Sequence, residues 1–236
     1  MSCNARTDGG RGSVGRPRAT SPAALERLAF ELFARQGFDD TTVDDIAAAA
    51  GIARRTFFRY FSSKNDLVWG DFEGRLRRLR ELLAHADPRT PTMDAVRAAV
   101  VEFNRFDPKE VPWHRQRMEL ILRVPTLQAD ATLRYASWRA VITEFVAARC
   151  GVPPSAPLPR LAGHLVLAAA VSAYEHWLAR EGEAALADLL DEAIRHLGTG
   201  LAAVLDAPAN TGPDAGPDDR ANGERDNTPD AGVPAS

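Results

Sequence analysis

A chain of 236 residues, 45% hydrophobic and 26% charged, fits one or two domains with an ample core. No apolar run reaches the ~18 residues of a membrane span, the start lacks an apolar signal-peptide core, and the only two cysteines, Cys3 and Cys150, exclude a disulfide framework, so a cytoplasmic protein without a membrane partner is expected. The net charge of −3 argues at first against a nucleic-acid partner, but residues 1–66 carry +2, residues 67–205 are neutral and residues 206–236 carry −5.

The leader, residues 1–19, is Gly-rich and polar and carries Arg6, Arg11, Arg16 and Arg18. It is expected to be disordered, because so little apolar surface cannot offset the entropy of ordering. A first helix starts at Ser21–Pro22, with Leu25, Leu28, Ala29, Leu32 and Phe33 on one face, and Gly37 ends it. A second follows Thr41–Thr42. Asp44 lies three residues after Thr41 and Asp45 three after Thr42, so either pair satisfies a capping box. Gly51 stops this helix. A third segment, Ala53–Phe61, brings Phe57 and Phe61 to one side, and a fourth, long pattern runs from Asp66 toward His85.

Five further helical stretches are separated by proline: Met93–Phe106, Pro108–Val124, Pro125–Cys150, Pro157–Arg180 and Glu183–Leu205. No stretch alternates with period two between turn signals. The fold class is therefore all-α, with about nine helices. The last two patterns, with the Ala-rich LVLAAAVSA run and the stripe Leu186, Leu189, Leu190, Ala193, Ile194 and Leu197, suit either subunit core or an interface. Residues 207–236 form an acidic tail rich in Pro, Gly, Asp and Asn, and are expected to be disordered.

Function is carried by the two short helices around Gly51. Ile46, Ala47, Ala50 and Ile52 give a small inward face, which lets the helices cross closely in helix-turn-helix fashion. The second of them would then lie in a DNA major groove with Arg54 and Arg55 at its start and Arg59 one turn on. Thr42, at the start of the preceding helix, can meet a phosphate with its hydroxyl and free backbone N–H groups. Tyr60 and Lys64 flank the other end. Phe58 points off the Phe57/Phe61 face, either toward a base methyl or sugar or into core packing. Without partners these arginines would equally form a solvated surface.

The pattern AFELFARQGFDDTTVDDIAAAAGI, followed by TFFRYF and then SK and DL, resembles the DNA-binding domain of the TetR family of bacterial repressors from Leu28 to Leu67. The resemblance implies a homodimer on a pseudo-palindromic double-stranded operator, joined through the last two helices. It also implies a C-terminal bundle that takes a small-molecule effector and spreads the DNA heads. On this likeness Thr42, Thr56, Tyr60 and Lys64 correspond to phosphate contacts, and Arg54 and Arg55 to base-reading positions. Phe58 stands where Tyr is usual, which removes one hydroxyl. Arg16 and Arg18 resemble the family's basic lead-in, an arm on DNA or a solvated one.

The implied domains are a leader 1–19, a DNA-binding domain 20–66, a ligand and dimerisation domain 67–206 and a tail 207–236. Trp113, His114, Met118, Leu122, Trp138, Tyr174 and Trp177 are candidates to line a pocket, although aromatics at helical spacing serve equally as core. GIARRTFFRYFSSKNDLVWGDFEGRLRRL and RMELILRVPTLQADATLRY further resemble the regulators associated with mycofactocin biosynthesis in actinobacteria. That likeness implies a long-chain acyl-CoA effector, with Arg115, Arg117, Arg123 or Arg134 facing its phosphates. The five histidines show no metal-ligand spacing, and no G-x-S-x-G, P-loop, Rossmann or H-E-x-x-H pattern occurs, so neither a metal, a cofactor nor an enzyme is expected. The alternative is a helical interaction protein whose DNA-binding head is vestigial.

Overall fold

The computed structural model describes residues 21–180 and 185–205. The leader with Arg16 and Arg18, and the acidic tail, lie outside the described residues. Among the described residues every regular element is helical: α1 (Pro22–Gln36), α2 (Val43–Ala50), α3 (Arg54–Phe57), α4 (Lys64–Trp69), α5 (Phe72–Ala84), α6 (Thr92–Phe103), α7 (Val111–Arg123), α8 (Pro125–Cys150), α9 (Pro157–Ala179) and α10 (Leu186–Leu205).

Local chemistry sets most of these boundaries. Side-chain oxygens of Ser21, Thr42, Ser63 and Asp71 accept backbone N–H groups at the starts of α1, α2, α4 and α5. Of the two candidate capping boxes, Thr42 and Asp45 form the real one, with Thr42 N donating to Asp45 Oδ2 at 2.8 Å and Asp45 N to Thr42 Oγ1 at 3.1 Å. Thr41 is instead fully buried and donates its hydroxyl to the Gly37 carbonyl at 2.7 Å.

Two expected helices differ. The α-helix of the third segment is confined to Arg54–Phe57, and turns carry the chain on to Phe61, with Phe61 N on the Phe57 carbonyl at 3.0 Å. The long fourth helix is two helices. Gly70 adopts φ +60°, a left-handed conformation costly for any residue with a Cβ, and the chain bends there between α4 and α5.

Two hydrophobic clusters organise the packing. One joins α1 to α4 around Phe30, Phe57, Ile46 and Leu67, and takes in Ile121, Leu127 and Ala131 from α7 and α8. The other unites α5, α6, α8, α9 and α10 around Leu79, Val100, Ile142, Val166 and Ile194. The head is thus seated on the bundle through a shared apolar core, and α4 crosses the expected 66/67 boundary. In the α10 stripe, Leu186, Leu190 and Ile194 are buried within the subunit.

Candidate nucleic-acid interface and effector cavity

The capping box fixes the start of α2, and Gly51, at φ +66°, turns the chain directly into α3. Phe57, fully buried, anchors α3 from below. Ring packing with Phe61 at 5.7 Å accounts for the i, i+4 pair. The residues left outside are those with recognition chemistry. Arg54 and Arg55 are exposed at the start of α3, Arg59 is exposed beyond it, and Phe58 remains 44% exposed. Phe58 is therefore no core residue. Its ring stands edge-on to Phe57 at 5.4 Å, with the Arg54 guanidinium 5.5 Å from its centroid.

The arginines differ in their freedom. Arg54 pairs with Asp44 of α2 at 2.6 Å, an exposed contact that ties the two helices of the motif. Arg59 donates to the Tyr60 hydroxyl at 3.1 Å and lies over its ring. Arg55 has no hydrogen-bond or ionic partner among the described residues. Thr42 is exposed, and Thr56 is half-buried on α3. Lys64 is already engaged: its ammonium donates to the carbonyls of Phe38 at 2.6 Å and Thr41 at 2.8 Å, and sits 4.1 Å from the Phe38 ring centroid. Partial burial there holds its pKa below the ordinary lysine value. It fastens the α1–α2 loop, and hence Thr42, to α4.

Above this head lies a cavity of about 90 Å³, lined by residues of α4 to α9. His114, Met118, Leu122, Trp138 and Tyr174 line it, as the sequence suggested. Trp113 and Trp177 do not. Trp113 packs on Phe30 of α1 at 4.3 Å between ring centroids. Trp177 is buried, with the Arg115 guanidinium 4.9 Å above its ring. The wall also contains residues that helical periodicity did not single out, notably Trp69, Arg75 and Tyr135.

A hydrogen-bonded chain crosses one wall. The Tyr174 hydroxyl donates to Asn104 Oδ1 at 2.6 Å, and Asn104 Nδ2 donates to the Val100 carbonyl at 2.8 Å. His114 Nε2, 2.8 Å from the Tyr174 oxygen, is therefore its donor, so Nε2 carries a proton. Burial, reinforced by the charges of Arg75 and Arg117, pushes the His114 pKa down to about 2.

The four arginines considered for phosphate contact are all engaged. Arg117 pairs with Glu26 of α1 and Arg123 with Glu119. Arg134 pairs with Asp66 of α4 and with Asp130, while Arg115 donates to the Leu178 carbonyl. Among the described residues no group of three His, Cys, Asp or Glu side chains could hold a metal ion, and no helix is long and apolar enough to cross a membrane.

The model of bacterial regulatory proteins of the tetR family matches residues 27–68, and that of the MftR C-terminal domain matches residues 90–202. The mycofactocin biosynthesis transcriptional regulator MftR of Mycobacterium tuberculosis is 48% identical over 188 residues, spanning 80% of this chain and 94% of that protein.

The chain belongs to the TetR family.

It is a transcriptional regulator and not an enzyme. Solved TetR-type folds resemble it at low sequence identity. Bacillus subtilis FadR in complex with stearoyl-CoA gives a TM-score of 0.54 at 16% identity, over 75% of this chain and 97% of that one. Thermus thermophilus FadR in complex with lauroyl-CoA gives 0.50 at 21% identity, over 77% of this chain and 95% of that one. In this TetR member Arg75 had a legible signal. It stands three residues after Phe72 and four before Leu79, on the apolar stripe of α5, where a cation is out of place unless it faces a cavity.

Proposed function

We propose that the protein is a ligand-released repressor that binds a pseudo-palindromic operator as a homodimer. The observation that carries the reading is the outer face of α3, where Arg55 and Phe58 are exposed and Arg55 has no partner among the described residues, together with the exposed Thr42 that caps α2. In this reading Arg54 and Arg55 read base edges, while Thr42, Thr56, Arg59 and Tyr60 meet phosphates. Lys64 supports them through the loop it fastens. The two-fold pairing uses α9 and α10. Leu161 on α9 is 49% exposed, and His164 and the small Ala168 are exposed on the same face of that helix, which leaves room for close helix approach. The protein acts in the cytoplasm, on the chromosome.

The effector is an acyl-CoA type molecule and the target is the set of genes for mycofactocin biosynthesis. The likeness to MftR supports the target, and the acyl-CoA complexes of the two FadR folds support the ligand class. A cavity of about 90 Å³ is smaller than the roughly 150 Å³ that takes one benzene, so a long chain must part the helices to enter. Trp69 at the end of α4 and Tyr135 on α8 both line the cavity, and Arg134 of α8 is bonded to Asp66 of α4. Parting these walls therefore shifts α4 and the head attached to it, so the ligand favours the state that fits DNA poorly.

The test is fluorescence anisotropy of the full chain on the region upstream of its own gene, with and without decanoyl-CoA and longer acyl-CoAs. Salt-sensitive, sequence-preferring binding that an acyl-CoA releases is the expected result. Binding to random DNA as tight as to that region defeats the repressor reading.

A further inference from the structure

We propose that Arg75, Trp69 and Tyr135 form the polar end of the effector site and take a carboxyl-derived oxygen of an acyl ligand, the free carboxylate or the thioester carbonyl. This rests on the effector reading above and adds the atoms that recognise the head.

Three features occur in the lining of this one cavity, and two of them, Trp69 and Tyr135, are ring neighbours at 6.1 Å. Trp69 is only 7% exposed, yet among the described residues its Nε1–H has no hydrogen-bond partner, and the buried Tyr135 hydroxyl has none either. Orphaned buried donors cost free energy and are rare in native proteins, so two on neighbouring rings of one cavity lining point to a missing acceptor. The third feature is Arg75, which makes no hydrogen bond or ion pair among the described residues. Its guanidinium rests on the rings of Phe103 at 5.0 Å and Phe106 at 5.2 Å, which orient it without neutralising it.

The electrostatics select the sign of the ligand group. No Asp or Glu lines the cavity. Arg117 also lines it, but its charge is met by Glu26 at 2.5 Å. His114 is neutral, so among the described residues no carboxylate of the wall pairs with Arg75. Burial, and to a smaller extent the nearby Arg117, disfavour the charge on Arg75 and outweigh the favourable influence of Tyr174. An entering oxygen acceptor relieves that cost, whereas an alkyl group alone does not. Burial, with the nearby Glu175, also pushes the Tyr135 hydroxyl up to about 12, so it stays protonated and able to donate. Met118, Ile121 and Leu122 offer the apolar surface for the chain beyond the head.

Calorimetry and thermal shift on the full chain, with decanoate, decanoyl-CoA and decanol as probes, test the assignment. The wild type is expected to bind at least one of the two acyl probes about tenfold or more tighter than decanol. Whichever acyl probe binds identifies the source of the oxygen. Arg75→Met and Trp69→Phe each keep the bulk of the wall and should erase most of that preference. Retained operator binding and an unchanged circular dichroism spectrum establish that the variants are folded. Should both variants keep the full preference, or should wild type bind decanol as tightly as the acyl probes, the polar-end assignment is overturned while the effector reading stands. Wild type that binds neither acyl probe overturns the acyl-effector reading, and this assignment with it.

Discussion

Arg117 on α7 and Glu26 on α1 form an ion pair at 2.5 Å, with only 12% and 16% of their side chains exposed. The pair joins the cavity wall to the first helix of the DNA-binding head. Gly70 closes over it: a Cβ at that position would lie 3.0 Å from Arg117 Nη1. Removing one partner leaves the other charged in a poorly solvated place, which costs more than the pair contributes. Glu26→Gln should therefore destabilise the fold by on the order of 3 kcal/mol, measured by urea unfolding. The double variant Glu26→Gln, Arg117→Met should recover much of that loss. A double variant as unstable as the single one would mean that the damage lies in packing and not in charge.

Arg55 offers the cleanest test of base reading, because it has no partner among the described residues to lose. Arg55→Ala should leave folding stability within about 0.5 kcal/mol of wild type. Operator affinity should drop by about 1–3 kcal/mol, with relaxed preference at one base pair per half-site. Arg54→Ala is less informative, since it also breaks the contact with Asp44. A duplex library scored by anisotropy decides the matter. Uniform weakening on all sequences would instead make Arg55 a phosphate contact.

Lys64 predicts a different signature. Its ammonium holds the carbonyls of Phe38 and Thr41, so it acts on the loop that presents Thr42. Lys64→Met should weaken operator and random duplexes alike, by roughly tenfold, because charge-assisted hydrogen bonds of this kind are worth about 1.5–3 kcal/mol. Backbone amides of residues 38–42 should exchange faster with solvent at the same time. Exchange in that loop left at the wild-type rate would show that Lys64 does not fasten it.

The helix-turn-helix was legible because its signals are local. Thr42 and Asp45 are three residues apart, Phe57 and Phe61 are four apart, and Gly51 has no side chain to oppose a left-handed turn. What escaped depends on contacts between distant segments. The Arg54–Asp44 pair, the Lys64 clamp and the packing of Phe30 on Trp113 appear only once α1 to α4 are assembled against α7. The break at Gly70 escaped for another reason. A glycine within LVWGDFEGRL is tolerated in a continuous helix, and only the bend of the chain requires its positive φ. Five of seven candidate residues do line the cavity, since an apolar stripe faces inward whether or not space is left there. Trp113 shows the limit: periodicity says that a ring is covered, not which neighbour covers it.

His114 makes folding sensitive to mild acid. In the folded chain its imidazole is 4% exposed, donates to Tyr174 and has its pKa pushed down to about 2 from an ordinary 6.5. In the unfolded chain the same group takes up a proton as the pH falls through the ordinary value. Between those two values the unfolded state binds more protons, so stability present above about pH 6.5 is lost as the pH drops. The loss approaches about 1.4 kcal/mol per pH unit for one proton. Urea unfolding should accordingly show about 1.7 kcal/mol less stability at pH 5 than at pH 6.5. His114→Gln keeps a donor toward Tyr174 but cannot titrate, and should flatten this slope. A slope equally steep in His114→Gln would mean that the proton uptake belongs to other groups.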